Sequence, residues 1–141
     1  MTEFSVFVSK NFFLFLALSV IVALIIRMEL KRVLRGFKDV TPAEAVTLIN
    51  REDAFVLDVR EDNELAQGKI AGAKHIALSV LKQRIEEIKE ATEKPIIAYC
   101  KTGMRSSHAC EILKKHNFSN VVNLKGGVTA WQTANLPLVK K

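Results

Sequence analysis

The apolar residues of this chain fall into two regimes. From Phe12 to Ile26 the sequence reads FFLFLALSVIVALII, apolar on every face of a helix and interrupted only by Ser19. Beyond about residue 38 the apolar residues come in short runs separated by amphipathic stretches. Thr41-Pro42-Ala43-Glu44 predicts a helix start. Thr41 caps, Pro42 suits the first helical position, and Glu44 completes a capping box. Ala45, Val46, Leu48 and Ile49 then supply a buried stripe. AFVLDV at 54–59, IIAYC at 96–100 and VVNL at 121–124 are short apolar runs that read as buried strands. His75-Ile76-Ala77 is a shorter candidate. Helical patterns cover 80–89 and 105–116, with a last short helix near 128–134. The alternation predicts an α/β fold with a central parallel sheet flanked by helices. No internal repeat or low-complexity segment is present.

The N-terminal run does not fit inside such a domain. Its 15 residues rise about 22 Å as a helix, against about 30 Å of bilayer hydrocarbon. Counting from Lys10, whose ammonium reaches back toward the headgroups, to Met28 closes most of the gap. A helix apolar all round is not readily enclosed by a domain of about a hundred residues. A cleaved signal peptide would want a positive leading region and small residues before a cleavage site. Here Glu3 and Lys10 precede the run, and Arg27-Met28-Glu29-Leu30 follows it. The expectation is therefore a membrane anchor in residues 1–35, with the span at about 10–28 and a basic juxtamembrane segment, followed by one domain in 36–141.

Charge sets the expected orientation. Arg27, Lys31, Arg32, Arg35 and Lys38 follow the span, whereas Lys10 and the α-amino group precede it. The positive-inside bias puts the N-terminus outside and the domain in the cytoplasm, as a single-pass protein of the cell (inner) membrane. Residues 1–35 hold five of the 21 Lys/Arg and two of the 15 Asp/Glu, so half of the formal net charge of +6 falls there. Topology and attraction to anionic lipid account for those cations. Nucleic-acid binding is not expected, because no basic stripe with aromatic or groove-reading elements exists. Two cysteines in a reducing compartment make neither a disulfide framework nor a metal site, and no histidine lies at a ligand-like offset from them.

In a parallel α/β sheet, sites lie outside the carboxyl ends of the strands. Asp58 and Cys100 stand at two such ends. After Cys100 come Lys101-Thr102-Gly103-Met104, and Arg105 and Ser106 open a helix. A strand–turn–helix containing glycine can point successive backbone N–H groups inward as an anion-binding nest, reinforced by the helix N-terminus. A thiolate at Cys100 is favoured there, with Arg105 and Lys101 as added cations. Cys110, beside Ala109, Ile112 and Leu113 on the helix, reads as core. His108 reads as a surface or packing residue, and His75 and His116 carry no signal.

Three segments resemble the rhodanese family in the right order, over roughly residues 38–138. Cys100-Lys101-Thr102-Gly103-Met104-Arg105-Ser106 looks like its catalytic loop. Asp58-Val59-Arg60-Glu61, followed by Glu64, Gly68, Ile70, Gly72 and Ala73, is similar to its upstream signature. Asn123-Leu124-Lys125-Gly126-Gly127-Val128-Thr129-Ala130-Trp131 is similar to its C-terminal one. Lys69 and Ala77 depart from the family pattern, where histidine and proline are usual. The resemblance implies a sulfurtransferase without a cofactor. Cys100 would take sulfane sulfur from a small donor such as thiosulfate, and pass it to cyanide, a thiol or a protein thiol. Backbone N–H groups of 101–105 would hold the persulfide. Asp58 and Arg60 would support the loop, with Asp58 bonding to loop groups or to Arg105. The one-helix, one-domain arrangement looks like a membrane-anchored bacterial subgroup. Phosphatases and arsenate reductases of the same fold use His-Cys-x5-Arg. Here Tyr99 precedes the cysteine and only four residues separate it from Arg105. The other alternative is a catalytically silent module that recruits partners to the membrane.

Protease added outside spheroplasts is expected to leave residues 36–141 whole. Their digestion under those conditions would reverse the orientation.

Overall fold

The computed structural model describes residues 1–140. Met1–Arg35 and the chain from Gly36 onward form two compact units. The first holds helix α1 (Thr2–Lys10) and helix α2 (Phe12–Leu34). Asn11 separates them, with φ −111° and its side-chain amide donating to the Phe7 carbonyl at 2.9 Å. Lys10 therefore closes α1, and the continuous helix that holds the apolar run begins at Phe12. At 23 residues it rises about 35 Å, long and apolar enough to cross a membrane. Its Ser19 hydroxyl donates back to the Phe15 carbonyl at 2.8 Å, so that polar group is satisfied within the helix.

The second unit is built on a five-stranded, all-parallel sheet. Its strands are β1 (Lys38–Val40), β2 (Phe55–Asp58), β3 (Lys74–His75), β4 (Ile96–Tyr99) and β5 (Val121–Leu124), in the order β1-β5-β4-β2-β3. The central strand β4 is buried along its whole length, with Tyr99 opposite Asp58. Side chains alternate across the sheet. Leu57, Ile96, Ala98 and Cys100 join one core layer, and Val56, Ile97, Tyr99 and Val122 the other.

Among the described residues four α-helices accompany the sheet: α3 (Pro42–Glu52), α4 (Leu81–Arg84), α5 (Met104–Lys115) and α6 (Gly127–Thr133). The capping box at α3 forms as the sequence predicts. Thr41 Oγ1 accepts from Glu44 N at 3.3 Å, and Glu44 Oε2 accepts from Thr41 N at 2.7 Å. The segment read as one helix over 80–89 differs. Only Leu81–Arg84 is α-helical, and Ile85–Glu93 winds as a 3₁₀ helix. Ile85, Ile88 and Ala91 are its buried residues, and their spacing of three matches the 3₁₀ repeat. Strand β3 covers Lys74–His75 rather than 75–77, since Ile76 and Ala77 turn into the core. Strand β1 escaped the apolar-run reading because of its three residues only Val40 is buried.

Two glycines position the loop after β4. Gly127, at φ +58°, starts α6 against the backbone of that loop. A Cβ there would lie 2.3 Å from the Cys100 carbonyl oxygen and 2.6 Å from the Lys101 carbonyl. Gly103 has φ +96°, with the Leu124 carbonyl and Gly126 nitrogen each 3.3 Å from where its Cβ would be. Gly127→Ala combines left-handed strain with a backbone clash. It is expected to cost about 2–4 kcal/mol of unfolding free energy, measured by denaturant titration of the full chain. A loss under about 0.5 kcal/mol would contradict the close approach.

Candidate active site

Cys100 stands one residue beyond β4, on the same face as Ile96 and Ala98, and has no exposed surface. The chain then curls tightly around the sulfur. Gly103 N–H donates to Cys100 Sγ at 3.0 Å, and Ser106 Oγ lies 3.4 Å from it. The loop carbonyls face away. Val128 N–H donates to the Cys100 carbonyl at 2.8 Å and Thr129 N–H to that of Lys101 at 3.2 Å. The first turn of α6 therefore takes the acceptors of the loop and leaves its donors for the sulfur. Burial raises the Cys100 thiol pKa, but bonds from the Ser106 hydroxyl and from the backbone N–H groups of Ser106, Gly103 and Thr102 outweigh it. The net direction is downward.

Asn123 on β5 ties this loop to the sheet. Its Nδ2 donates to the Gly103 carbonyl at 3.2 Å and to Asp39 Oδ1 at 3.0 Å, and its Oδ1 accepts from Ser106 Oγ at 2.6 Å. The Ser106 hydroxyl carries one proton and has two acceptors in reach, so it can turn between Asn123 and a thiolate. Asn123 was visible in the sequence only as part of the C-terminal segment, with no role attached.

Asp58 and Arg60 do not reach the loop. Strand alternation puts Asp58 with Val56 and Tyr99, on the sheet face opposite Cys100. Both residues are almost fully buried and form a closed network. Arg60 Nη2 and Nε donate to the Asp58 carboxylate at 2.6–3.1 Å, and Tyr99 OH donates to Asp58 Oδ2 at 2.7 Å. Arg60 also donates to the carbonyls of Glu64 (3.3 Å) and Gly68 (2.9 Å). Burial and the Asp58 charge push the Tyr99 hydroxyl well above its ordinary pKa, so it remains a donor.

The carboxylate that meets Arg105 is Glu64, not Asp58. Glu64 lies in a 3₁₀ turn (Asp62–Gln67), and its two oxygens accept from Arg105 Nη1 and Nη2 at 2.6 and 2.7 Å. The Arg105 bond holds the Glu64 carboxyl down at about 2 against the opposing effect of burial. Arg105, expected from sequence to add a fixed cation at the loop, is thus neutralised by Glu64. Arg60 supports the loop only indirectly, by fixing the Glu64 backbone. Lys101, Thr102 and Met104 are exposed at the rim, Met104 at 80%.

The family model for the rhodanese-like domain matches residues 41–134. The chain belongs to the rhodanese-like domain family. The Escherichia coli (strain K12) protein YibN is 33% identical over 141 residues, 99% of this chain and 99% of its own length. The likeness therefore includes the N-terminal helical segment. The thiosulfate sulfurtransferase GlpE of Pseudoalteromonas translucida is 31% identical over 99 residues, 70% of this chain and 92% of its own. The crystal structure of a rhodanese-related protein from Thermoplasma volcanium aligns with TM-score 0.67 at 30% identity, covering 74% of this chain and 100% of that one.

Among the described residues no side-chain hydrogen bond joins Cys110 or a histidine to Cys100. Cys110 is buried among Ala109, Ile112 and Leu113, and burial pushes its thiol far upward. His108 is exposed and lies 3.5 Å from Glu111. Lys69 donates to the Ala73 carbonyl at 3.2 Å, and its backbone bridges to Val139. Among the described residues no cluster of His, Cys, Asp or Glu could hold a metal.

Ser106→Ala removes one donor from the sulfur and keeps the backbone donors. The pKa of Cys100 is expected to rise, so its iodoacetamide reaction, followed site by site by mass spectrometry, should need higher pH. An unchanged or lower titration point would contradict the role given to Ser106.

Proposed function

We propose that this chain is a membrane-tethered sulfurtransferase in which Cys100 carries sulfane sulfur as a persulfide. The observation that carries this reading is the pair of donors, Gly103 N–H at 3.0 Å and Ser106 Oγ at 3.4 Å, aimed at Cys100 Sγ from a tight loop. With four residues between Cys100 and Arg105, the loop suits one added sulfur atom better than a tetrahedral oxyanion. With thiosulfate as donor, the Cys100 thiolate attacks the outer sulfur. A new S–S bond forms to Cys100, the donor S–S bond breaks, and sulfite leaves with the electron pair. The outer persulfide sulfur keeps its negative charge near the loop N–H groups of 101–105. Cyanide, a small thiol or a protein thiol then attacks that sulfur and releases the Cys100 thiolate. No metal or cofactor takes part in this sequence.

Residues 1–35 act as the anchor and 36–141 as the catalytic domain at the cytoplasmic face of the inner membrane. Sequence flanking charge supports that side, and the α2 helix is apolar and long enough for the span. A second reading, a silent module that recruits partners, has one observation in its favour: the Cys100 residue has no exposed surface. A donor must therefore displace part of the rim, where Lys101, Thr102 and Met104 are exposed.

Intact-mass analysis of the full chain in detergent, after treatment with a panel of sulfane donors, separates the two. The expected result is a gain of one sulfur atom that is reversed by cyanide or thiol and absent in Cys100→Ser. A wild-type thiol that stays unmodified with every donor would sink the enzyme reading.

A further inference from the structure

The loop of a sulfur-carrying cysteine would gain most from a free guanidinium if its donor were a small dianion. The structure withholds that guanidinium. Glu64 grips Arg105 with both oxygens, at 2.6 and 2.7 Å. Glu64 is itself held from behind. Its carbonyl accepts from Arg60 at 3.3 Å, and its carboxylate accepts from Glu61 N–H at 2.9 Å. Glu61, exposed beside it, is a second carboxylate whose charge reaches Arg105. Arg105, Glu64 and Glu61 together are therefore net negative. Lys101 is exposed, and its solvated ammonium is readily screened. Next to Arg105, Met104 is the most exposed large apolar side chain in the unit from Gly36 onward. The rim thus offers apolar surface and a neutralised arginine.

We propose that Glu64 is a specificity-determining residue which, by holding Arg105, sets the site against small sulfur-bearing dianions and in favour of thiol-borne persulfide donors. The inference rests on the sulfur-transfer reading and names its donor class. The step is redox-neutral overall. The Cys100 thiolate attacks the outer sulfur of R–S–S⁻ or R–S–SH, forming the Cys100 S–S bond. The donor S–S bond breaks with its electron pair on R–S⁻, which takes a proton from water or from the persulfide that donated it. The organic group R lies over Met104. Thiosulfate instead must bring two negative charges past Glu64 and Glu61.

The test measures Cys100 loading rates in the full chain in detergent, from thiosulfate and from 2-hydroxyethyl persulfide. Glu64→Gln keeps a side chain that can hydrogen-bond Arg105 but removes the charge. The ratio of thiosulfate rate to persulfide rate is expected to rise about fivefold at low ionic strength, the size expected from removing one charge near a dianion in a high-dielectric mouth. The gain should shrink at high salt and appear in the thiosulfate KM. Glu64→Asp, which keeps the charge, should stay within about twofold of wild type. Adding Arg105→Gln to Glu64→Gln should abolish the gain, because the uncompensated charge of Arg105 is its source. A ratio unchanged by Glu64→Gln, or a gain that survives loss of Arg105, overturns the proposal and leaves sulfur transfer standing. Failure of the wild type to load from either donor overturns both.

Discussion

A carboxylate buried under a parallel sheet sets the terms for the rest of this domain. Asp58 has no exposed surface, and an unpaired charge there would cost several kcal/mol. Arg60 meets it with a bidentate pair and Tyr99 adds a hydroxyl. That solution is itself demanding, because it buries a guanidinium whose remaining N–H groups need acceptors. They find them in the carbonyls of Glu64 and Gly68, so the chain between must fold into the 3₁₀ turn that presents the Glu64 side chain. Neutralising one charge below the sheet thereby fixes the position of another charge on the loop side. The Asp58–Arg60 network does not touch Cys100. It decides which carboxylate does touch Arg105.

The sulfur pocket depends on a different constraint, the division of backbone groups between two partners. A tight loop brings both its donors and its acceptors close together, and a pocket for an anion needs only the donors. Helix α6 removes the acceptors by giving its first N–H groups to the Cys100 and Lys101 carbonyls. It can come that close only because residue 127 has no side chain. Asn123 takes the Gly103 carbonyl in the same way. Gly126-Gly127 and Asn123, which belong to the C-terminal sequence segment, are thus part of the mechanism for aiming residues 101–106, although none of them faces the sulfur as a reactant.

What was legible in the sequence follows from whether a feature is local. The capping box at Thr41, the apolar runs of β2, β4 and β5, and the polar loop closing β4 each sit within a few residues, and each formed as read. The stretch read as one helical pattern over 80–89 divides into α4 and the 3₁₀ helix Ile85–Glu93, because spacings of three and four are hard to separate over two turns. Strand β1 was missed because an edge strand with one buried residue has no apolar run. Partner choice was the least legible. The expected partner for Arg105 was Asp58, and the structure supplies Glu64 instead. Only strand alternation, which turns Asp58 to the far face, and the Arg60 bond to the Glu64 backbone select among them. Those depend on a pairing 41 residues apart, which local pattern cannot supply.

The two constraints together determine what kind of anion the pocket can hold. Burial works against a charged sulfur, and Arg105 is occupied by Glu64, so stabilisation falls to the hydroxyl of Ser106 and the N–H dipoles of Thr102, Gly103 and Ser106. Dipoles favour a charge at short range and lose strength quickly with distance, whereas a free guanidinium would attract any oxyanion that came near. A site built on dipoles therefore supports the sulfur bonded to Cys100 far more than the group that delivers it. That is the balance the proposed carrier role requires: a persulfide held, and its leaving group not.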